Sequence, residues 1–86
     1  MEKYKITIKK SAAKELEDIP GKDLRKVVRR IQSLANNPRP QGSQKLSGQN
    51  RLRIRQGDYR IVYFVNDKDC IVDIFKIWHR REIYRK

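Results

Sequence analysis

The sequence has little cysteine, histidine or acid. Cys70 is its one thiol and His79 its one imidazole. No intramolecular disulfide can form, and one Cys with one His makes a poor structural zinc site. Cys70 precedes an apolar run and reads as a small core residue, with a catalytic thiol as the lesser alternative. Nothing calls for a metal or other cofactor. No apolar stretch approaches the roughly 20 residues a membrane-spanning helix needs. The N-terminal region lacks the apolar segment of a secretory signal, so the expectation is a cytoplasmic protein with no membrane partner. Asp and Glu number only 10 against 22 Lys and Arg, a net charge of +12. So basic a balance costs stability through self-repulsion. Nucleic acid is the commonest partner for such a surface, and an acidic protein or anionic membrane would also fit. With 86 residues, 37% of them hydrophobic, the chain reads as one domain, 1–86, with one modest core.

What is present is well patterned. Tyr4, Ile6 and Ile8 alternate with Lys5, Thr7 and Lys9, as in a strand with one apolar face. Ser11 is a candidate N-cap for a short helix over Ala12 to Ile19, broken by Pro20-Gly21. Leu24, Val27, Val28, Ile31, Leu34 and Ala35 then recur at helical spacing, with Arg25, Lys26, Arg29 and Arg30 on the solvated face. Residues 37–50, with Pro38, Pro40, Gly42 and Gly48, read as a long connector. Beyond it the period changes to two. Arg51 to Arg55, Tyr59 to Val65 and Ile71 to Trp78 read as three strands of a meander, joined by turns at Gln56-Gly57-Asp58 and Asn66 to Asp69. The last of them is apolar on both sides and so central. The tail from His79 to Lys86 reads as a last helical turn or a loose arm. The predicted class is α+β: a small β-α-α-β-β-β(-α) domain, an antiparallel or mixed sheet with a helical hairpin on one face.

The chemistry concentrates on the first strand of the meander. Alternation points Arg51, Arg53 and Arg55 to one side and Leu52 and Ile54 to the core. Arg60 follows across the turn. A solvated face that discourages aggregation is the plainer explanation, but lysine would serve that purpose equally, and here the choice is arginine throughout. Guanidinium groups bind phosphate bidentately. Several converging on one phosphate would stabilise the charge that develops when it is attacked. In the tail, His79 has the side chain suited to proton transfer near neutrality. Tyr84 is placed to stack on a base or bond a ribose hydroxyl. Singly, such a His is more often structural and such a Tyr a packing group.

Four segments together carry a family resemblance: Lys45-Leu46-Ser47-Gly48, Arg51-Leu52-Arg53-Ile54-Arg55, Gly57-Asp58-Tyr59-Arg60-Ile61-Val62-Tyr63 and His79-Arg80-Arg81-Glu82-Ile83-Tyr84-Arg85. The sequence resembles the RelE/ParE toxin superfamily over nearly its whole length, and the third and fourth segments are the specific part. The resemblance implies a RelE-like fold and, in the RelE branch, an endoribonuclease that cuts mRNA in the ribosomal A site. There the ribose 2′-hydroxyl attacks the adjacent phosphate without a metal. It implies catalytic roles for Arg51, Arg53, Arg60, Arg80 and Tyr84. Arg53 and Arg60 would clamp the phosphate, Arg80 would lie near the leaving oxygen, and Tyr84 would orient the nucleotide. Arg81 is the alternative to Arg80. Lys45, Arg55, Arg81 and Arg85 would add RNA-binding cations.

Two departures bear on mechanism. Arg51 and Arg53 stand where the best-known members carry lysine. Arginine stays protonated, so Arg51 is a poor general base, and no carboxylate lies between Arg51 and Arg55. The expectation is that His79 supplies the proton transfer, in which case His79→Gln cuts turnover more than binding. The resemblance also implies partners: a RelB-like antitoxin, the ribosome and its mRNA, and promoter DNA through the toxin–antitoxin complex. An acidic, partly disordered antitoxin suits a chain of charge +12. Two alternatives stay open. One is the ParE branch, which shares the fold and poisons gyrase without nuclease residues. The other is a nucleic-acid-binding module that does not cut.

Overall fold

The computed structural model describes residues 3–46 and 51–79. Strand β1 (Lys5–Ile8) leads into helices α1 (Lys10–Glu17) and α2 (Gly21–Ser33). A two-residue strand β2 (Gln44–Lys45) precedes the meander of β3 (Arg51–Gln56), β4 (Tyr59–Asn66) and β5 (Ile71–His79). The five strands form one sheet in the order β1-β5-β4-β3-β2. β1 runs parallel to β5, and the other pairings are antiparallel. The mixed α+β architecture is the one the sequence predicts.

One apolar cluster builds the core. Ala12 and Ile19 from the α1 region and Val27, Ile31 and Leu34 from the α2 region pack against Leu52, Ile54, Ile61, Tyr63, Val65, Val72, Ile74 and Ile77. The strand residues follow the predicted alternation, and the α2 residues keep the predicted helical spacing. The meander also turns where expected. Gly57, at φ +60, takes the first central position of a two-residue hairpin loop, and this pins Gln56 opposite Tyr59.

Four features differ from expectation. Helix α1 starts at Lys10 with Lys9 as its N-cap, and no side chain caps it. The Lys9 N–H still donates to Ile74 O at 3.0 Å, so the chain leaves the sheet there and turns at once into the helix. That tertiary bond, not Ser11, sets the start, and Ile19 lies just past the helix end. Second, the connector contains β2, which pairs Gln44 with Arg53 and Lys45 with Leu52. Two residues are too few to show a period. Third, Cys70 is exposed rather than buried. It closes the β4–β5 turn with φ +54, and its carbonyl accepts from Lys5 N–H at 2.8 Å. Fourth, β5 carries a bulge: its register with β4 shifts between Val62, opposite Lys76, and Tyr63, opposite Ile74.

The connector is tied down from several sides. The buried Tyr63 hydroxyl donates to Pro38 O at 2.7 Å. Arg39 forks onto the Asp67 carboxylate at 3.1 and 2.8 Å, and the Tyr4 hydroxyl donates to the same carboxylate at 2.7 Å. These two donors lower the Asp67 pKa, Arg39 most. The group is exposed, so it fixes loop geometry more than it adds stability.

Candidate nucleic-acid interface

Residues directly opposite each other in an antiparallel pair share a face, so the β3–β4 register decides which arginines meet. Arg51 lies opposite Phe64, Arg53 opposite Val62, and Arg55 opposite Arg60. All four predicted arginines of the meander therefore stand on one face, away from the helices. Directly opposed like charges destabilise a hairpin, yet Arg55 and Arg60 are so placed. The ion pairs seen between described residues are Lys9–Asp73, Arg39–Asp67 and Lys76–Glu15. None takes up an arginine of this face.

Each arginine has its own setting. Arg53 donates to the Gln44 side chain, which steadies it from β2. Arg51 lies over two aromatic rings, its Cζ 4.2 Å from the Phe75 centroid and 4.9 Å from that of Phe64. The two rings meet edge to face at 5.6 Å. Its Nε is buried with no hydrogen-bond partner among the described residues. Arg55 is exposed, while Arg60 is half-buried opposite Trp78 of β5. Lys76 Nζ stands 5.6 Å from the Trp78 ring centroid. Val62 is buried although it faces this way. It lies between Arg53 and Lys76, long side chains whose methylene stems can cover apolar surface.

The structure does not bring His79 to this face. His79 pairs with Tyr59, which shares the parity of Ile61 and Tyr63 and packs against the core. The two rings meet edge to face at 5.1 Å. With Glu15, Asp18, Ile19 and Ile77 they line a cleft on the helix side of the sheet. Glu15 closes that edge: its Oε1 accepts from Ile77 N–H at 3.0 Å, where β5 has run beyond the end of β1. Lys45 lies opposite Leu52 and so has core parity. It is exposed and lines an open cleft at the end of the sheet with Arg39, Phe64 and Asp67. Arg80, Arg81, Tyr84 and Arg85 lie outside the described residues.

The sequence reading missed the aromatic members Phe64, Phe75 and Trp78. Phe64 was within reach, because it has the parity of Arg60 and Val62 on β4. Phe75 has the parity of Asp73, but Trp78 was not within reach, because the bulge puts Lys76 on the same face as its chain neighbour Phe75 and so shifts the parity of Trp78.

Comparison with known proteins gives a consistent result. Residues 6–84 match the family described as ParE toxin of type II toxin-antitoxin system, parDE. The chain is similar to the RelE1 protein of Methanocaldococcus jannaschii, 33% identical over an 87-position alignment that covers 96% of this chain and 97% of the relative. Among solved structures it is similar to the archaeal RelE–RelB complex from Pyrococcus horikoshii, with a TM-score of 0.82 and 32% identity over 91% of this chain and 96% of that one. It also resembles the toxin–antitoxin complex RelBE2 from Mycobacterium tuberculosis, with a TM-score of 0.80 and 25% identity over 90% of this chain and 98% of that one.

Proposed function

This chain belongs to the RelE/ParE superfamily of toxins from type II toxin–antitoxin systems, and from that premise we propose that it is a ribosome-dependent endoribonuclease that stops translation by cutting mRNA in the A site. The observation that carries the proposal is the arginine face, where four arginines share a helix-free surface and stand outside the ion pairs Lys9–Asp73, Arg39–Asp67 and Lys76–Glu15.

In the proposed reaction the ribose 2′-oxygen attacks the neighbouring phosphorus and the 5′-oxygen of the next nucleotide leaves. The 2′-proton is lost to a base, the leaving oxygen gains a proton, and no metal takes part. Arg53 and Arg60 hold the phosphate through charge-assisted hydrogen bonds and stabilise the charge that builds on its oxygens. Arg55 extends the cationic track along the backbone. Arg51 is held against two phenylalanines, and a guanidinium group is a hydrogen-bond donor rather than a base, so it serves binding rather than proton abstraction. Arg80 and Tyr84 keep the roles the resemblance gives them, at the leaving oxygen and the nucleotide. For His79 to act as base, its ring must leave Tyr59 and pass the edge of the sheet. The scheme therefore leans on phosphate stabilisation and on the ribosome as the positioning device.

The solved relatives from Pyrococcus and Mycobacterium are complexes with antitoxins. By extension, a cognate RelB-like antitoxin, acidic enough to meet a charge of +12, covers this basic surface. The pair, rather than the toxin alone, binds promoter DNA. The family match to ParE toxins favours a second reading, inhibition of gyrase without RNA cleavage. Toeprinting of mRNA on programmed ribosomes separates the two. A-site cuts by wild type that vanish with Arg60→Ala support the nuclease. Growth arrest with supercoiling defects and no cuts supports the gyrase reading.

A further inference from the structure

We propose that Arg51, Phe64 and Phe75 form a stacking platform for one base of single-stranded RNA, beside the phosphate-binding pair Arg53 and Arg60. The inference rests on this face meeting RNA and does not require that the RNA be cut.

Four observations point to it. First, two phenylalanines stand half-buried on the sheet face that carries no helix, while the core cluster lies wholly on the other face. Their edge-to-face contact makes a fixed corner rather than two independent exposed rings. Second, the Arg51 guanidinium lies 4.2 Å from the Phe75 centroid, held among the described residues by rings and not by an ion pair. An acid would hold it too, but would also cancel the charge that attracts RNA. Third, the buried Arg51 Nε has no hydrogen-bond partner among the described residues. A buried donor without a partner is costly, so the aromatic contact is kept at the expense of a hydrogen bond. Fourth, Arg53 projects from the same face two residues along β3, about 6.7 Å away at ordinary strand rise. A base on the platform and a phosphate at Arg53 would then belong to neighbouring positions of one extended strand.

The chemistry of the ligand follows from these parts. Planar guanidinium groups and aromatic rings on an open sheet take unpaired bases by stacking, which is tolerant of base identity. Stacked bases inside a duplex cannot reach the platform. The site therefore selects single-stranded RNA, and Arg51 is a positioning residue that stacks on the base.

The test uses the full chain and a short single-stranded RNA carrying 2-aminopurine, with 2′-O-methyl sugars so that nothing is cut. Wild type should quench the 2-aminopurine at saturation. Phe64→Leu/Phe75→Leu should abolish the quench and weaken binding by roughly 5- to 150-fold, the range expected for one stacked base. Its dependence on salt should stay unchanged, because no phosphate contact is lost. Phe75→Tyr, which keeps the ring, should retain the quench. Arg53→Ala should do the reverse, with weaker binding and a shallower salt slope but full quench at saturation. If the double variant melts below the assay temperature, Phe75→Leu alone and Arg51→Leu are read instead, each with a reduced quench expected. Absence of quench with wild type at saturation would overturn the platform, as would equal quench in wild type and the leucine variants. Failure of the nuclease reading looks different: the quench persists while programmed ribosomes show no cuts.

Discussion

The two faces of the sheet are written by alternate residues of the same strands, yet they answer to different pressures. Leu52, Ile54, Ile61 and Tyr63 turn inward under the helices and are almost fully buried, whereas Arg51, Arg53, Arg55 and Arg60 turn outward to a face without helices. On the inner face each position is chosen for volume and apolarity. On the outer face Arg55 directly opposes Arg60, which a sheet optimised only for stability would avoid. The comparison teaches that stability resides on one parity of β3 and β4 and the proposed chemistry on the other. Adjacent residues should therefore fail in opposite ways.

Arg60 and Ile61 are the sharpest test, being neighbours in sequence on opposite faces. Arg60→Ala should lower the rate of A-site cleavage by about 10²–10³-fold, the usual loss when a donor to a developing oxyanion is removed. Its melting temperature should hold or rise slightly, since a like charge beside Arg55 is gone. Single-turnover toeprinting with a parallel thermal melt reads both. Ile61→Ala should instead cost about 2–5 kcal/mol of stability, the range for truncating a buried isoleucine. Below its melting temperature it should still cut. If Arg60→Ala unfolds the protein, or Ile61→Ala abolishes cutting while fully folded, the division between the faces is wrong.

Tyr63 probes the inner face more gently. Its hydroxyl is buried and donates to Pro38 O, joining the sheet to the connector. Tyr63→Phe leaves that carbonyl without its partner and should cost about 1–2 kcal/mol in denaturant unfolding. There is also a pH signature. Burial pushes the phenol from its ordinary 10.0 up to about 12, against the pull of Arg30 and Arg39. Between pH 10 and about 12 the unfolded chain loses this proton while the folded one keeps it. The contribution is therefore complete below pH 10 and is lost as pH rises toward 12. Strong alkali acts on the rest of the chain as well, so the quantity to read is wild type minus Tyr63→Phe. That difference should shrink across the window, and a flat difference would place the hydroxyl outside the core.

These contrasts also show what the sequence could reveal. The arginine face was legible because strict alternation in Arg51 to Arg55 meets a two-residue turn at Gly57-Asp58, which leaves little freedom of register. The core of α2 was legible from its helical spacing. Features that depend on a distant partner were not. The start of α1 depends on Lys9 bonding to Ile74, β2 on Arg53 and Leu52, and the outward aim of Lys76 and Trp78 on a bulge against β4. The placement of His79 was hidden for a related reason. Its chemistry suits proton transfer, but its face depends on the β4–β5 register, which sets it beside Tyr59 on the helix side. Tail position and side-chain type carry no information about parity.

The smallest effect concerns Cys70, which belongs to neither face. The sequence pattern placed it in the core, but it is exposed and holds a left-handed conformation at φ +54 in the β4–β5 turn. An L-residue held there gives up about 1–2 kcal/mol that glycine does not. Glycine in turn gives back about 0.4–1 kcal/mol through its freer unfolded chain. The side chain offers little in compensation, since its sulfur contacts Asp67 O at 3.7 Å. The bond from Lys5 N–H to the Cys70 carbonyl involves backbone alone and survives substitution. Cys70→Gly should therefore stabilise the fold by up to about 1 kcal/mol, a rise of a few degrees in Tm for a domain of this size. Cys70→Val should lower it, because a β-branched side chain tolerates positive φ least. Melts under reducing conditions keep intermolecular disulfides out of the comparison. If Cys70→Gly melts below wild type, the turn is not strained and the thiol is retained for a contact of its own.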